Sequence, residues 1–283
     1  MCTMIEVHAH VLPGLDDGPA DSAEAFALIA AYARQGVTDI ICTSHFGSAQ
    51  MQAEEETDYL ARYREAYQLC AATFEKSEYP VRLHPGLELE LVPDLLRSLK
   101  RHERDSFNPL TLAGSFYLLV ELPKWVSGGL ASLDNILYSL QLDGYMPILA
   151  HPERISDFAA SEEQLSLWVT QERICLQVNA SSLVSLPNRT AEQQERQQRR
   201  RVIVDRLIRS GLVHLAASDG HDVIRRPPMH QEAWHILAKQ YREAVAQRLL
   251  QENPAAILNK LPLQPVRLDT AQQLNKVTRQ KEG

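Results

Sequence analysis

Ten histidines are spread through the chain, and five of them stand with carboxylates at comparable places. The stretch "HAHVLPGLDDG" sets His8 and His10 one residue apart and follows them with Asp16 and Asp17 in a Gly/Pro-rich turn. In a strand, residues i and i+2 point to one face, so both imidazoles can serve one metal ion. Alone, such a pair is weak evidence. His45, His151 and His221, with Glu88, Glu121 and Asp219, extend it, because each lies at or just beyond the end of a short apolar run. A carboxylate at the end of a buried strand is costly unless it faces a basic residue or a metal. One member of the Asp16–Asp17 pair is expected to join the set, and the other to form the turn. Imidazole mixed with carboxylate suits borderline divalent ions such as manganese, iron or zinc. Nine such side chains exceed the needs of one ion and imply two or three. Three divalent ions on four carboxylates leave positive charge for a hydroxide and an anionic substrate, whereas two ions leave a neutral site. Arg154, three residues after His151, and Arg225 and Arg226, after His221, offer forks that match phosphate oxygens.

The elements that must position these residues follow from the hydrophobic pattern. Seven apolar, β-branched-rich runs are strand candidates: 4–8, 37–43, 81–88, 116–122, 146–150, 174–179 and 212–218. Helical spacing occupies 22–35, 58–76, 130–143, 162–171 and 191–210, with Ser22 as a cap and Gly36 and Gly211 as stops. Alternating strands and helices, with near-continuous apolar strands, describe a parallel sheet covered on both faces. The polar residues gathered at strand ends favour a closed (β/α) barrel, because in a barrel all those ends converge on one face. In an open sheet the outermost ends could not meet. His84, His102, His214, His230 and His235 fall elsewhere. His214 is expected to be structural, and His102 solvated.

Composition narrows the class. The chain has 283 residues and a net charge of -7, with a pI near 5.8; this disfavours a nucleic-acid binder. The four cysteines form no CxxC pair, and Cys42 and Cys175 lie in apolar runs, which suits a reduced, cytoplasmic protein. The N-terminus lacks a basic segment before an apolar one, and no apolar run approaches the length of a membrane span. The Gln/Arg-rich segment 189–201 is expected to be a solvated helix face, with a docking surface as the sharper alternative. One domain over 1–262 and a polar, mobile tail over 263–283 are expected.

The segments "EVHAHVLPGLDDG", "GVTDIICTSHF", "HPGLELEL", "YLLVELP", "GYMPILAHPER" and "LAASDGH" together resemble the PHP (polymerase and histidinol phosphatase) superfamily. The likeness runs from residue 4 to about 230 and is greatest to the bacterial manganese-dependent protein-tyrosine phosphatases of capsule and exopolysaccharide loci. It implies an α/β fold, a distorted (β/α)7 TIM-like barrel of the PHP type, with metals at its C-terminal face. It implies His8, His10, Asp17, His45, Glu88, Glu121, His151, Asp219 and His221 as ligands, choosing Asp17 over Asp16 and Glu88 over Glu90. It assigns Arg154 and an arginine after "SDGH" to the phosphate; Arg226 is preferred, and Arg225 stays open. Phe46 departs from the pattern, since many relatives carry a second histidine there.

The reaction expected from the resemblance is hydrolysis of a phosphotyrosine protein, a bacterial tyrosine kinase of polysaccharide synthesis, by a metal-bridging hydroxide. The ions would be two or three, manganese first, with iron or zinc as alternatives. None of the cysteines has an arginine six residues later, as a cysteine phosphatase loop requires. A small-molecule phosphatase of the histidinol-phosphate type would use the same site. An amidohydrolase would usually place a metal-bridging lysine where Glu121 stands. A non-enzymatic, metal-bearing scaffold is the remaining rival. Trp125 could flank an aromatic substrate or pack on the barrel rim.

Overall fold

The computed structural model describes residues 3–47, 56–79, 81–123, 130–155, 158–184 and 190–268. The elements run in chain order β1 (Met4–Ala9), α1 (Ser22–Arg34), β2 (Val37–Phe46), α2 (Glu56–Glu75), β3 (Arg82–Glu90), α3 (Leu95–His102), β4 (Tyr117–Glu121) and α4 (Asp134–Leu142). They continue with β5 (Met146–Ala150), α5 (Phe158–Thr170), β6 (Cys175–Asn179), α6 (Ala180–Leu183), α7 (Ala191–Arg209), β7 (Leu215–Ala217), α8 (His230–Gln240), α9 (Glu243–Gln247) and α10 (Asn253–Leu258). All seven apolar runs are strands. They pair side by side in sequence order, every pair parallel.

The sheet curls until β1 meets the end of β7. Asp219 N donates to His8 O and His10 N donates to Gly220 O, both at 2.9 Å. Deeper in the barrel, the π-helical turn Arg248–Glu252 lies against both β1 and β7, and α10 lies against β1. The seam is therefore ladder-bonded at the C-terminal ends of the strands and helix-filled towards the base.

Alternation along the strands makes two apolar layers. Ile5, Val7, Ile41, Leu119, Ile148 and Leu215 fill the barrel interior. Leu28, Ile29, Ile40, Tyr63, Leu176 and Leu207 belong to the layer between strands and helices. Each such side chain contributes about 1.5–3 kcal/mol when fully buried. A bulge interrupts the alternation in β1, where Glu6 pairs with Ile40 but Ala9 with Cys42. Three residues thus span what two span on β2, and such bulges re-aim side chains. Val7 stays in the inner layer, while His8 also faces inward onto Gln177.

Three local expectations change. Asp21, not Ser22, caps α1: its carboxylate accepts from Ala23 N and Glu24 N. Ser22 is already the first helical residue. His102 is buried at the end of α3 with Nδ1 2.8 Å from Asp105, so it is not solvated. Leu263 and Val266 are buried, although the polar tail was expected to start at 263. Leu263 N donates to Tyr117 Oη (2.9 Å), and Val266 N donates to Val213 O (2.9 Å). Leu263 and Val266 therefore pack against the barrel, and 269–283 lie outside the described residues.

Candidate metal centre

The C-terminal ends of the strands deliver the expected side chains to one place. Glu88, near the C-terminal end of β3 and fully buried, is the hub. Its Oε2 lies 3.2 Å from His8 Nε2, 3.2 Å from His10 Nε2 and 3.1 Å from His45 Nδ1. Its Oε1 lies 3.0 Å from His151 Nε2. Asp219 Oδ1 lies 3.4 Å from His8 Nε2 and 3.5 Å from His10 Nε2. Glu121 Oε1 is 3.2 Å from His45 Nδ1. Asp17 Oδ1 is 3.1 Å from His221 Nε2 and 3.6 Å from His45 Nε2.

Three overlapping groups emerge, in each of which one donor atom per residue lies within 4.8 Å of the others. They are His10, Asp17, His45 and His221; His8, His10, Glu88 and Asp219; and His45, Glu88 and Glu121. His151 touches Glu88 but falls outside all three. The residues fit divalent ions by a further criterion. His45 Nδ1, Glu88 Oε2 and His221 Nε2 are buried and make no hydrogen bond. Buried polar atoms normally have partners, and ions at the group centres would supply them.

Electrostatics agree. Burial disfavours a charged His10, yet the Asp16 carboxylate outweighs it and pushes the imidazole up to about 9. Burial also opposes charge on His45, but contacts with Glu121 and Glu88 push it up to about 11. Burial works against ionised Glu88 and Asp219 too; His8 beside the first, and Arg154 and His8 beside the second, hold both well below the usual carboxylate range. So much negative charge at one point needs positive charge, from protons or from metal ions.

The backbone is also specialised here. His151 and Asp219 take left-handed conformations, at φ 37° and 53°. Non-glycine residues there cost on the order of 1 kcal/mol and cluster at functional sites. Gly220 follows Asp219 because a Cβ at that position would sit 2.2 Å from Tyr32 Oη.

Residues 4–259 match the model of the family described as capsular polysaccharide synthesis, CpsB/CapC. The chain belongs to the CpsB/CapC family. It is 29% identical over 269 residues to the tyrosine-protein phosphatase YwqE of Bacillus subtilis, covering 93% of this chain and 97% of YwqE. It is 28% identical to the tyrosine-protein phosphatase CpsB of Streptococcus pneumoniae, covering 90% of this chain and 98% of that protein. A chain from the crystal structures of these two proteins, described as unique metal-dependent tyrosine phosphatases, superposes with a TM-score of 0.77 at 28% identity. It covers 94% of this chain and 99% of its own. The β-aspartyl dipeptidase of Fervidobacterium islandicum, at 12% identity and a TM-score of 0.50, shares the fold alone.

In this CpsB/CapC barrel, Asp16, Gln177 and Asn179 have supporting roles beyond those the sequence assigns. Asp16 Oδ2 accepts from His10 Nδ1 (2.8 Å) and from His45 N (3.0 Å), while Oδ1 accepts from Gly18 N (2.9 Å). It forms the turn, as one of the two acids must, and also orients two histidines. Gln177 Oε1 lies 2.8 Å from His8 Nδ1, its amide donates to Asn179 Oδ1 (3.0 Å), and Asn179 donates to Asp219 Oδ2 (3.0 Å). This relay fixes both ends of the seam. Its signal in the sequence is Gln177 and Asn179 alternating in the otherwise apolar strand "CLQVN".

The arginines separate. Arg154 Nη2 donates to Asp219 Oδ2, and Arg226 Nη2 donates to Asp17 Oδ2. Arg225 lies 3.4 Å from Asp222 with its side chain 83% exposed. All three border a cleft of about 270 Å³ beside Asp219. Trp125 lies outside the described residues.

Proposed function

We propose that this chain is a metal-dependent protein-tyrosine phosphatase whose substrate is a phosphotyrosine protein, a cytoplasmic tyrosine kinase of capsule or exopolysaccharide synthesis. The observation that carries the proposal is the set of three overlapping ligand groups joined through Glu88, His10 and His45, opening onto an arginine-bordered cleft. His8, His10, Asp17, His45, Glu88, Glu121, His151, Asp219 and His221 would hold two or three ions, manganese before iron or zinc. Bound ions of this kind lower the pKa of water towards neutrality, supply hydroxide and neutralise phosphoryl charge.

The chain's own residues do the rest. Arg154 borders both Asp219 and the cleft, so its remaining N–H groups can bind two phosphoryl oxygens at once. Arg226 does the same from the Asp17 side. A tyrosyl leaving group, with a pKa of about 10, needs little help from a general acid. Among the described residues a thiol nucleophile has no support: burial raises the Cys42 thiol, pushes Cys70 up to about 11 and Cys175 up to about 12, so all three stay protonated. No described helix is long and apolar enough to cross a membrane, which agrees with a partner met outside the bilayer.

The test is chelation followed by reconstitution. Chelated protein should not hydrolyse a phosphotyrosyl peptide, and manganese should restore the reaction. Full turnover by metal-free protein would overturn the proposal, and faster turnover of histidinol phosphate than of the peptide would move it to the small-molecule class.

A further inference from the structure

The Gln/Arg-rich segment 189–201 is not only a solvated face. Its described part opens α7, where Gln193, Arg196, Gln197 and Arg200 recur at helical spacing and line the cleft beside Arg154 and Asp219. Residues three, four and seven apart share one side of a helix. The two glutamines fix that side in place. Gln193 closes a capping box with Thr190. Gln197 donates to Ser181 O (3.1 Å) and to Val184 O, which ties α7 to α6.

The arginines are left to face the cleft. Arg154, Arg196, Arg200, Arg225 and Arg226 line it, against Asp219 as the one lining carboxylate among the described residues. This concentration stands out in a chain of net charge -7. Arg196 has a local partner in Glu192 at 3.1 Å. Arg200 has no carboxylate within ion-pair distance among the described residues. Burial, then Arg154 and Arg196 close by, lower its pKa, while Glu153 and Asp219 oppose them. A half-buried guanidinium facing two others is costly until an anion joins it.

We propose that the Arg196–Arg200 side of α7 is a second anion subsite, which binds an acidic group of the substrate peptide flanking the phosphotyrosine held at the metal centre. The proposal rests on the phosphatase reading given above. Its chemistry is that of an anionic side chain, either a carboxylate or a second phosphate. The phosphotyrosine itself stays with Arg154, Arg226 and the ions.

The experiment uses manganese-loaded full-length protein and four substrates. These are p-nitrophenyl phosphate and phosphotyrosyl peptides flanked by glutamine, by glutamate or by a second phosphotyrosine. For the wild type, KM should fall about fivefold from the glutamine to the glutamate peptide at low salt, the scale of a good exposed charge contact. A larger fall with the second phosphate than with glutamate would assign the subsite to phosphate, and an equal or smaller fall to carboxylates. In the double variant Arg196→Gln, Arg200→Gln the peptides should converge on the glutamine KM, while kcat/KM for p-nitrophenyl phosphate stays within about twofold. Melting temperature checks that the variant is folded; if the double variant is unstable, Arg200→Lys should keep part of the discrimination. Equal KM values for all peptides in the wild type, or discrimination that survives in the variant, would overturn the subsite. Hydrolysis of p-nitrophenyl phosphate with equal peptide KM values spares the phosphatase reading. Hydrolysis of none of the four overturns both.

Discussion

His10 Nδ1 lies 2.8 Å from Asp16 Oδ2, and this contact turns the other ring nitrogen, Nε2, onto Glu88 at 3.2 Å. Such outer partners set the tautomer and orientation of a ligand. Asp16→Asn keeps an acceptor for Gly18 N but removes the charge. Its manganese affinity is expected to drop about tenfold to a hundredfold in a competitive metal titration. Unchanged affinity would show that His10 is oriented by packing alone.

Arg154 is expected to act on the phosphoryl group more than on the ions. Arg154→Ala should lower kcat/KM for p-nitrophenyl phosphate about 10²-fold, as loss of one charge-stabilising donor does. Elemental analysis should find the same metal content as in the wild type. A parallel loss of metal would reassign Arg154 to support of Asp219, on which its Nη2 now rests.

His214 Nδ1 accepts from Leu176 N at 3.2 Å, and burial pushes this histidine down to about 4. An unfolded histidine titrates near 6.5. Between pH 6.5 and 4 the unfolded chain gains a proton that the folded chain refuses, so stability falls as pH falls. The contribution from this residue is about 3 kcal/mol across that window. His214→Gln retains an acceptor but cannot protonate. Urea unfolding at pH 7.5 and pH 5 should show a smaller loss in the variant than in the wild type; His221, also pushed down to about 4, titrates in both and cancels.

Gly220 and Tyr32 meet too closely for any side chain at 220. Tyr32 is fully buried and its Oη is held by Ser218 Oγ at 2.6 Å, so it has nowhere to swing. Gly220→Ala should cost about 1–3 kcal/mol in denaturant unfolding, the usual scale of overpacking. Adding Tyr32→Phe, which removes the clashing oxygen, should recover part of that loss; no recovery would place the strain elsewhere.

The strands and the convergence of nine polar side chains were legible in the sequence because both are local signals. A β-branched run with a histidine or carboxylate at its end needs no knowledge of its neighbours. Eight of the nine then fall into the three donor groups, and His151 stands beside Glu88. What stayed hidden depends on distant partners. Gln177 acquires its role from His8, 169 residues away. Asp16 looks like a turn residue until His45 N arrives. Leu263 and Val266 have no periodicity to betray them, since each packs singly against the barrel. The left-handed turns at His151 and Asp219 are set by where the strand ends must point, and neither residue type announces them.

The barrel seam carries one more consequence. Its two ladder bonds join His8 and His10 to Asp219 and Gly220, so the first strand waits for the last. On the ribosome, His8, His10 and His45 emerge early; the group His45, Glu88 and Glu121 is complete once β4 is made, but the two groups that hold His8 and His10 need Asp219 or His221 and cannot close until β7 has been made. Full metal loading is thus tied to completion of the chain, and a translation product that stops short of Asp219 leaves His8 and His10 without the carboxylate that completes their group.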